Sequence, residues 1–145
     1  MKVIDVERII VDVPFTPRQQ KITEREVYNW SILELCKVTT DTGHVGWGET
    51  VIHYTWSRVT DAAVEKVIGR SPAQMMNDDA LGAGLQMALF DVVGKILEAP
   101  VYELLGRKVR DKVPISWWSI DASPRKKCNS VGASVTNCRR RNPLA

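Results

Sequence analysis

The run Thr50-Val51-Ile52-His53-Tyr54-Thr55-Trp56 places an imidazole, a phenol and an indole within seven residues. Groups of this kind can stack on a ligand and hydrogen-bond to it at once, and His53 or Asp61 could supply a proton acceptor. The same side chains can equally cover a sheet edge, so the run is compatible with substrate contact and with packing. Other reactive types are sparse. His44 sits just past a turn with no second His or carboxylate at metal spacing, and reads as a solvated strand residue. Cys36, Cys128 and Cys138 contain no C-x-x-C pair and cannot all pair with one another, so they suggest neither a disulfide scaffold nor a zinc site. Asp91 and Lys95 stand four residues apart, the spacing of a helix-stabilising ion pair, and Asp91 reads as a surface or packing carboxylate and not as a catalyst.

Several elements must position these residues. Lys2 to Phe15 is rich in Val and Ile and ends at Pro14, which suits a strand near a sheet edge. Pro14 to Asn29 is polar and without period, and reads as a long loop. Trp30 to Thr40 gives a second strand, Asp41-Thr42-Gly43 a tight turn, and His44 to Glu49 a third strand. An antiparallel meander is expected. Val59, Ala63 and Val67 with Val64 and Ile68 then mark a short helix that Gly69 ends. Leu81, Leu85, Ala88, Leu89, Val92, Val93 and Ile96 recur at three- and four-residue steps and predict the longest helix within Asp79 to Leu97. Pro100 stops it, and Val101 to Leu105 makes a further short turn closed by Gly106. Strands first and helices after is the α+β pattern, here a three-stranded antiparallel meander followed by a helical bundle.

Length and composition fit one ordinary folded domain: 145 residues, 44% hydrophobic and 26% charged. No stretch approaches the roughly 20 apolar residues of a membrane span, and Met1 to Val13 mixes Asp5, Glu7 and Arg8 among its apolar residues, unlike a signal peptide. A cytoplasmic protein with no membrane partner is expected. The formal charge of +3 is unevenly spread. Six of the 20 basic residues follow Ser123, where no acidic residue occurs, so Met1 to Ser123 holds 14 basic against 17 acidic residues and carries −3. Arg125 to Ala145 has no apolar period and reads as a foreign or frame-shifted end, or as a disordered tail. Arg139 to Arg141 is too short a run to indicate nucleic-acid binding.

Ala83 to Lys95, read as Ala-Gly-Leu-Gln-Met-Ala-Leu-Phe-Asp-Val-Val-Gly-Lys, is followed by Pro100-Val101-Tyr102-Glu103-Leu104-Leu105-Gly106. This pair resembles a signature of the enolase superfamily, mandelate racemase and muconate lactonizing enzyme group, in which Ala-Leu-x-Asp-x-x-Gly-Lys precedes Pro-(Leu/Val)-x-x-Leu-Leu-Gly. Gly46-Trp47-Gly48-Glu49 is similar to the Gly-x-Gly-Glu that ends the third strand of the N-terminal capping domain in that group. Val113 to Ser119, which contains Trp117 and Trp118, resembles the first strand of the barrel that follows. The likeness covers about Met1 to Ser123.

That resemblance implies a capping domain at residues 1–112, a remnant of the first barrel strand at 113–123, and a basic tail at 124–145. In the group, two loops of the cap close over a carboxylate-bearing substrate at the mouth of a modified (β/α) barrel. Carried over by position, these loops are Pro14 to Asn29 and Thr50 to Trp56, and Arg18, His53, Tyr54 and Trp56 are the implied substrate-binding residues once a barrel is present. The implied reaction is removal of a proton α to a carboxylate, with Mg²⁺ stabilising the enediolate and a Lys or His as base. An acid-sugar dehydratase is the favoured parent, a homo-oligomer acting on a small carboxylate or acid sugar. Base and metal ligands come from later barrel strands. A barrel needs about 200 residues, and no Lys-x-Lys, the usual form of one such base, occurs here. No catalytic residue, metal ligand or cofactor is therefore expected in this chain, and no activity from it alone. A small non-enzymatic binding module whose basic tail contacts a polyanion is the alternative.

Overall fold

A computed structural model of the chain describes residues 1–23, 28–53 and 58–115, apart from the side chains of residues 22, 23, 28 and 29. Tyr54 and Trp56 fall outside the described residues, as do Trp117, Trp118, Cys128, Cys138 and the whole basic tail. The described residues divide into two units, one of residues 1–14 and 29–113 and the other including residues 15–23.

In the larger unit, strands β1 (Val3–Asp12), β2 (Ile32–Thr40) and β3 (Val45–Val51) form an antiparallel sheet in the order β1-β2-β3. The expected turn joins β2 to β3. Gly43 holds φ at +83°, a left-handed value that glycine adopts without a Cβ penalty, and donates to Thr40 O at 2.9 Å. Glu34, Cys36, Val38 and Thr40 alternate onto one face of β2 and are buried there, next to Gly46, Gly48 and Thr50 of β3. The helices cover this face.

The smaller unit contains a helix where a loop was expected, α1 (Pro17–Thr23). Its start follows local chemistry that a search for apolar period does not detect. Pro17 presets φ at the first helical position, and Thr16 accepts the Gln19 N–H on its Oγ1 at 3.3 Å.

Back in the larger unit, α2 (Asp61–Val67) begins at Thr60, whose hydroxyl accepts the Ala63 N–H at 3.2 Å. The helix stops one residue sooner than the apolar stripe suggests. Ile68 leaves it to bridge Val3 in parallel, Gly69 donates to Val3 O at 2.8 Å and Val3 donates to Arg70 O at 2.9 Å. These bonds complete the outer edge of β1 near its start. Pro72 opens α3 (Pro72–Met75).

The longest described helix is α4 (Ala83–Ile96), with Leu85, Ala88, Leu89, Val92 and Val93 buried along one face. It lies directly on β3, and the glycines of the third strand are the reason. A Cβ on Gly46 would collide with the Ala88 carbonyl oxygen, and one on Gly48 with that of Gly84. Leu85, Ala88 and Leu89 join Val3, Cys36, Val38, Val59, Ala63, Val67 and Leu81 in a single core. After Pro100 comes α5 (Val101–Leu105).

Candidate functional site

β1 ends where β2 begins, Asp12 pairing with Ile32, and β3 ends beside the same residues, Leu33 pairing with Val51. The connection after β1 and the run after β3 therefore leave from one end of the sheet. His53 lies in the turn after β3 and is exposed. Arg18 is exposed on α1, in the other unit. Of the four residues implied to touch substrate, these two are described.

A network of charged groups runs from this end toward the middle of the sheet. Glu34 on β2 is fully buried, and both of its carboxylate oxygens are engaged: Oε1 accepts the Val59 N–H at 2.7 Å and Oε2 the Arg58 Nε–H at 2.8 Å. On β1, Arg8 donates from Nη1 to Val59 O at 2.8 Å and from Nη2 to Asp61 Oδ1 at 2.5 Å. Both backbone polar groups of Val59 are thus held by side chains of the sheet. A buried carboxylate is tolerated only when paired and hydrogen-bonded, and Glu34 meets both conditions. Sequence reasoning overlooked this network. Its signal was present, because Glu34 falls at a core-facing step of an otherwise apolar alternation with Cys36 and Val38.

Two further residues take roles the sequence did not reveal. Asp91 Oδ2 accepts the backbone N–H of Trp47 at 2.8 Å and the Lys95 ammonium at 2.7 Å, and Lys95 also donates to Val45 O at 2.9 Å. The expected ion pair exists, and it closes the free edge of β3. Cys36 is buried, and desolvation, followed by the nearby Glu34 charge, pushes its thiol up to about 12. It stays protonated at neutral pH, as an inert core thiol. His44 is exposed with its Nδ1 3.0 Å from Thr42 Oγ1, a solvated residue as expected. Among the described residues no three His, Cys, Asp or Glu side chains come together as a metal-ligand group. No helix among them is long and apolar enough to cross a membrane.

The network fixes the Val59 backbone and the Arg8 and Arg58 side chains against the sheet. Known proteins show the same architecture. Residues 4–106 match the family described as mandelate racemase / muconate lactonizing enzyme, N-terminal domain. D-galactonate dehydratases from Cronobacter sakazakii and Variovorax paradoxus are each 38% identical over 124 aligned positions, covering 68% of this chain and 31% of the relative. The chain thus spans about a third of the length of these curated relatives. The muconate lactonizing enzyme of Pseudomonas fluorescens, solved with muconolactone, superposes with a TM-score of 0.65 at 25% identity, over 88% of this chain and 40% of that one. The N-terminal strands and helices of this chain therefore belong to the mandelate racemase and muconate lactonizing enzyme family of the enolase superfamily.

Proposed function

We propose that residues 1–112 are the substrate-capping domain of an acid-sugar dehydratase, with residues 113–123 the start of its barrel and 124–145 an extension outside the domain. The observation that carries this reading is the 38% identity to two D-galactonate dehydratases, over 31% of the length of each. The cap works by enclosure. In this reading the segments after Asp12 and after Val51 cover the acid and exclude water, with Arg18, His53, Tyr54 and Trp56 as the proposed contacts.

Removal of the α-proton needs a positioned base and a cation against the developing enediolate, and this reading gives both to the barrel of the family's enzymes. A Mg²⁺ ion bound there would supply that charge. A cytoplasmic homo-oligomer is the setting this reading favours.

The test is a hybrid enzyme in which residues 1–112 replace the cap of a D-galactonate dehydratase. Turnover of at least one sugar acid, lost on adding EDTA, is expected. A folded hybrid that binds Mg²⁺ in its barrel yet dehydrates no sugar acid would overturn the proposal.

A further inference from the structure

The two arginines beside Val59 are used differently. Arg8 has both terminal nitrogens occupied, by Val59 O and by Asp61. Arg58 commits only Nε, and Glu34 is its sole partner among the described residues. The side chain of Arg58 is 58% exposed while that of Glu34 is 0% exposed. One edge of the guanidinium is thus fastened to a buried anchor and the other faces solvent.

Fastening matters because a free arginine loses much rotamer entropy when it binds, whereas a planar fork already held by Nε loses less. Glu34 is itself held, since its other oxygen accepts the Val59 N–H. The terminal nitrogens of Arg58 present parallel N–H donors, a geometry that matches a carboxylate and gives a lone hydroxyl only part of what it offers. Arg58 also stands at the end of the sheet where β3 stops and His53 follows.

We propose that Arg58 is a ligand-binding residue of the cap, taking an anionic group at the end of the acid remote from the reacting carbon, and that Glu34 is the positioning residue that aims it. The inference rests on the capping-domain reading, in which the barrel holds the carboxylate next to the reacting carbon and the cap meets the opposite end. A sugar diacid is then the preferred class of ligand over a monoacid of the same length ending in a hydroxymethyl group.

The test uses the ¹⁵N-labelled 145-residue chain, following the Arg58 Nε–H signal during titration with a six-carbon sugar diacid, the matching monoacid, and sodium chloride at equal ionic strength. Both acids are expected to shift the signal saturably through a carboxylate, with no saturable response to chloride, and in the hybrid enzyme, whose barrel holds one carboxylate, the diacid should show a several-fold lower KM than the monoacid. Arg58→Lys should abolish binding, and Glu34→Gln should weaken it several-fold while the α4 amide signals stay those of the folded chain. Binding should be equal at about pH 5.5 and about pH 9, as expected for an anion held by an arginine fork and not by a histidine. In the hybrid enzyme, Arg58→Lys should raise KM for the diacid several-fold with little change in kcat. A signal that does not move, equal responses to diacid and chloride, or binding that fades above about pH 6.5, as a histidine would cause, overturns the proposal. A silent Arg58 in an active hybrid removes this inference alone; an inactive hybrid removes the capping reading.

Discussion

The carboxylate of Asp91 accepts the backbone N–H of Trp47 at 2.8 Å across the open edge of the sheet, and Lys95 one turn later donates to Val45 O at 2.9 Å. Val45 and Trp47 are alternate residues of β3, whose outward peptide groups would otherwise be free to pair with another strand. One helix thus supplies an acceptor and a donor at the spacing of the strand it guards. Asp91→Ala should lower stability by about 1 kcal/mol, equivalent to roughly 3–4 °C in melting temperature for a chain of this size. It should also increase self-association in size-exclusion chromatography. Asp91→Asn keeps an acceptor and should cost less. Equal melting temperatures for all three chains would contradict the edge-closing role.

The glycines of the third strand should respond unlike the turn glycine. A methyl group on Gly48 meets the Gly84 carbonyl and the Ala88 N–H region of α4, where neither backbone can yield easily. Gly48→Ala should cost at least about 1–3 kcal/mol, the usual range for overpacking. Gly43 has open space around its Cβ position and only its positive φ to lose. Gly43→Ala should therefore cost only about 1 kcal/mol, and Gly43→Asn less. Chemical denaturation of the three variants checks the order. A Gly48→Ala chain as stable as the wild type would mean that α4 does not rest on β3 as described.

Cys36 makes a prediction about pH. Its thiol is raised from an ordinary value of 9.0 to about 12, so the folded chain keeps a proton that the unfolded chain releases. The stability this contributes is fully present below pH 9 and is lost as pH rises from 9 toward 12. Cys36→Ala should show a shallower decline over that window. Alkylation of Cys36 by iodoacetamide at pH 8 should be far slower in the folded chain than in urea. Rapid labelling of the folded chain at this position would contradict its burial.

The meander, the turn at Asp41 to Gly43 and the long helix were legible because each has a periodic or turn signal in the residues themselves. Val38 alternates with Thr39, Leu85 recurs with Leu89 and Val92, and Gly43 sits where a left-handed residue is needed. Helix α1 escaped notice because its start depends on Thr16 and Pro17 and on no apolar stripe. The Glu34 network and the Asp91 edge contact join residues 24 and 44 positions apart, and no local pattern encodes a contact of that kind. Of the candidate contact residues, the sequence suggested His53, Tyr54, Trp56 and Arg18 by type and resemblance. It did not suggest Arg58, whose role depends on a partner that only folding brings to it.

Exchange of the α-proton of sugar acids with deuterated solvent, followed by NMR, is the most direct test of whether this chain covers the reaction and leaves its chemistry to the barrel. Exchange is the sensitive readout because it registers proton removal even when no product leaves. A proton α to a carboxylate is so weakly acidic that a base such as His53 in water, without a cation against the enediolate, gives little help. The 145-residue chain with Mg²⁺ should exchange the proton at the buffer rate, and the hybrid enzyme well above it. Exchange by the chain alone above the buffer rate, abolished by EDTA, would place a working metal site within these residues and contradict the account.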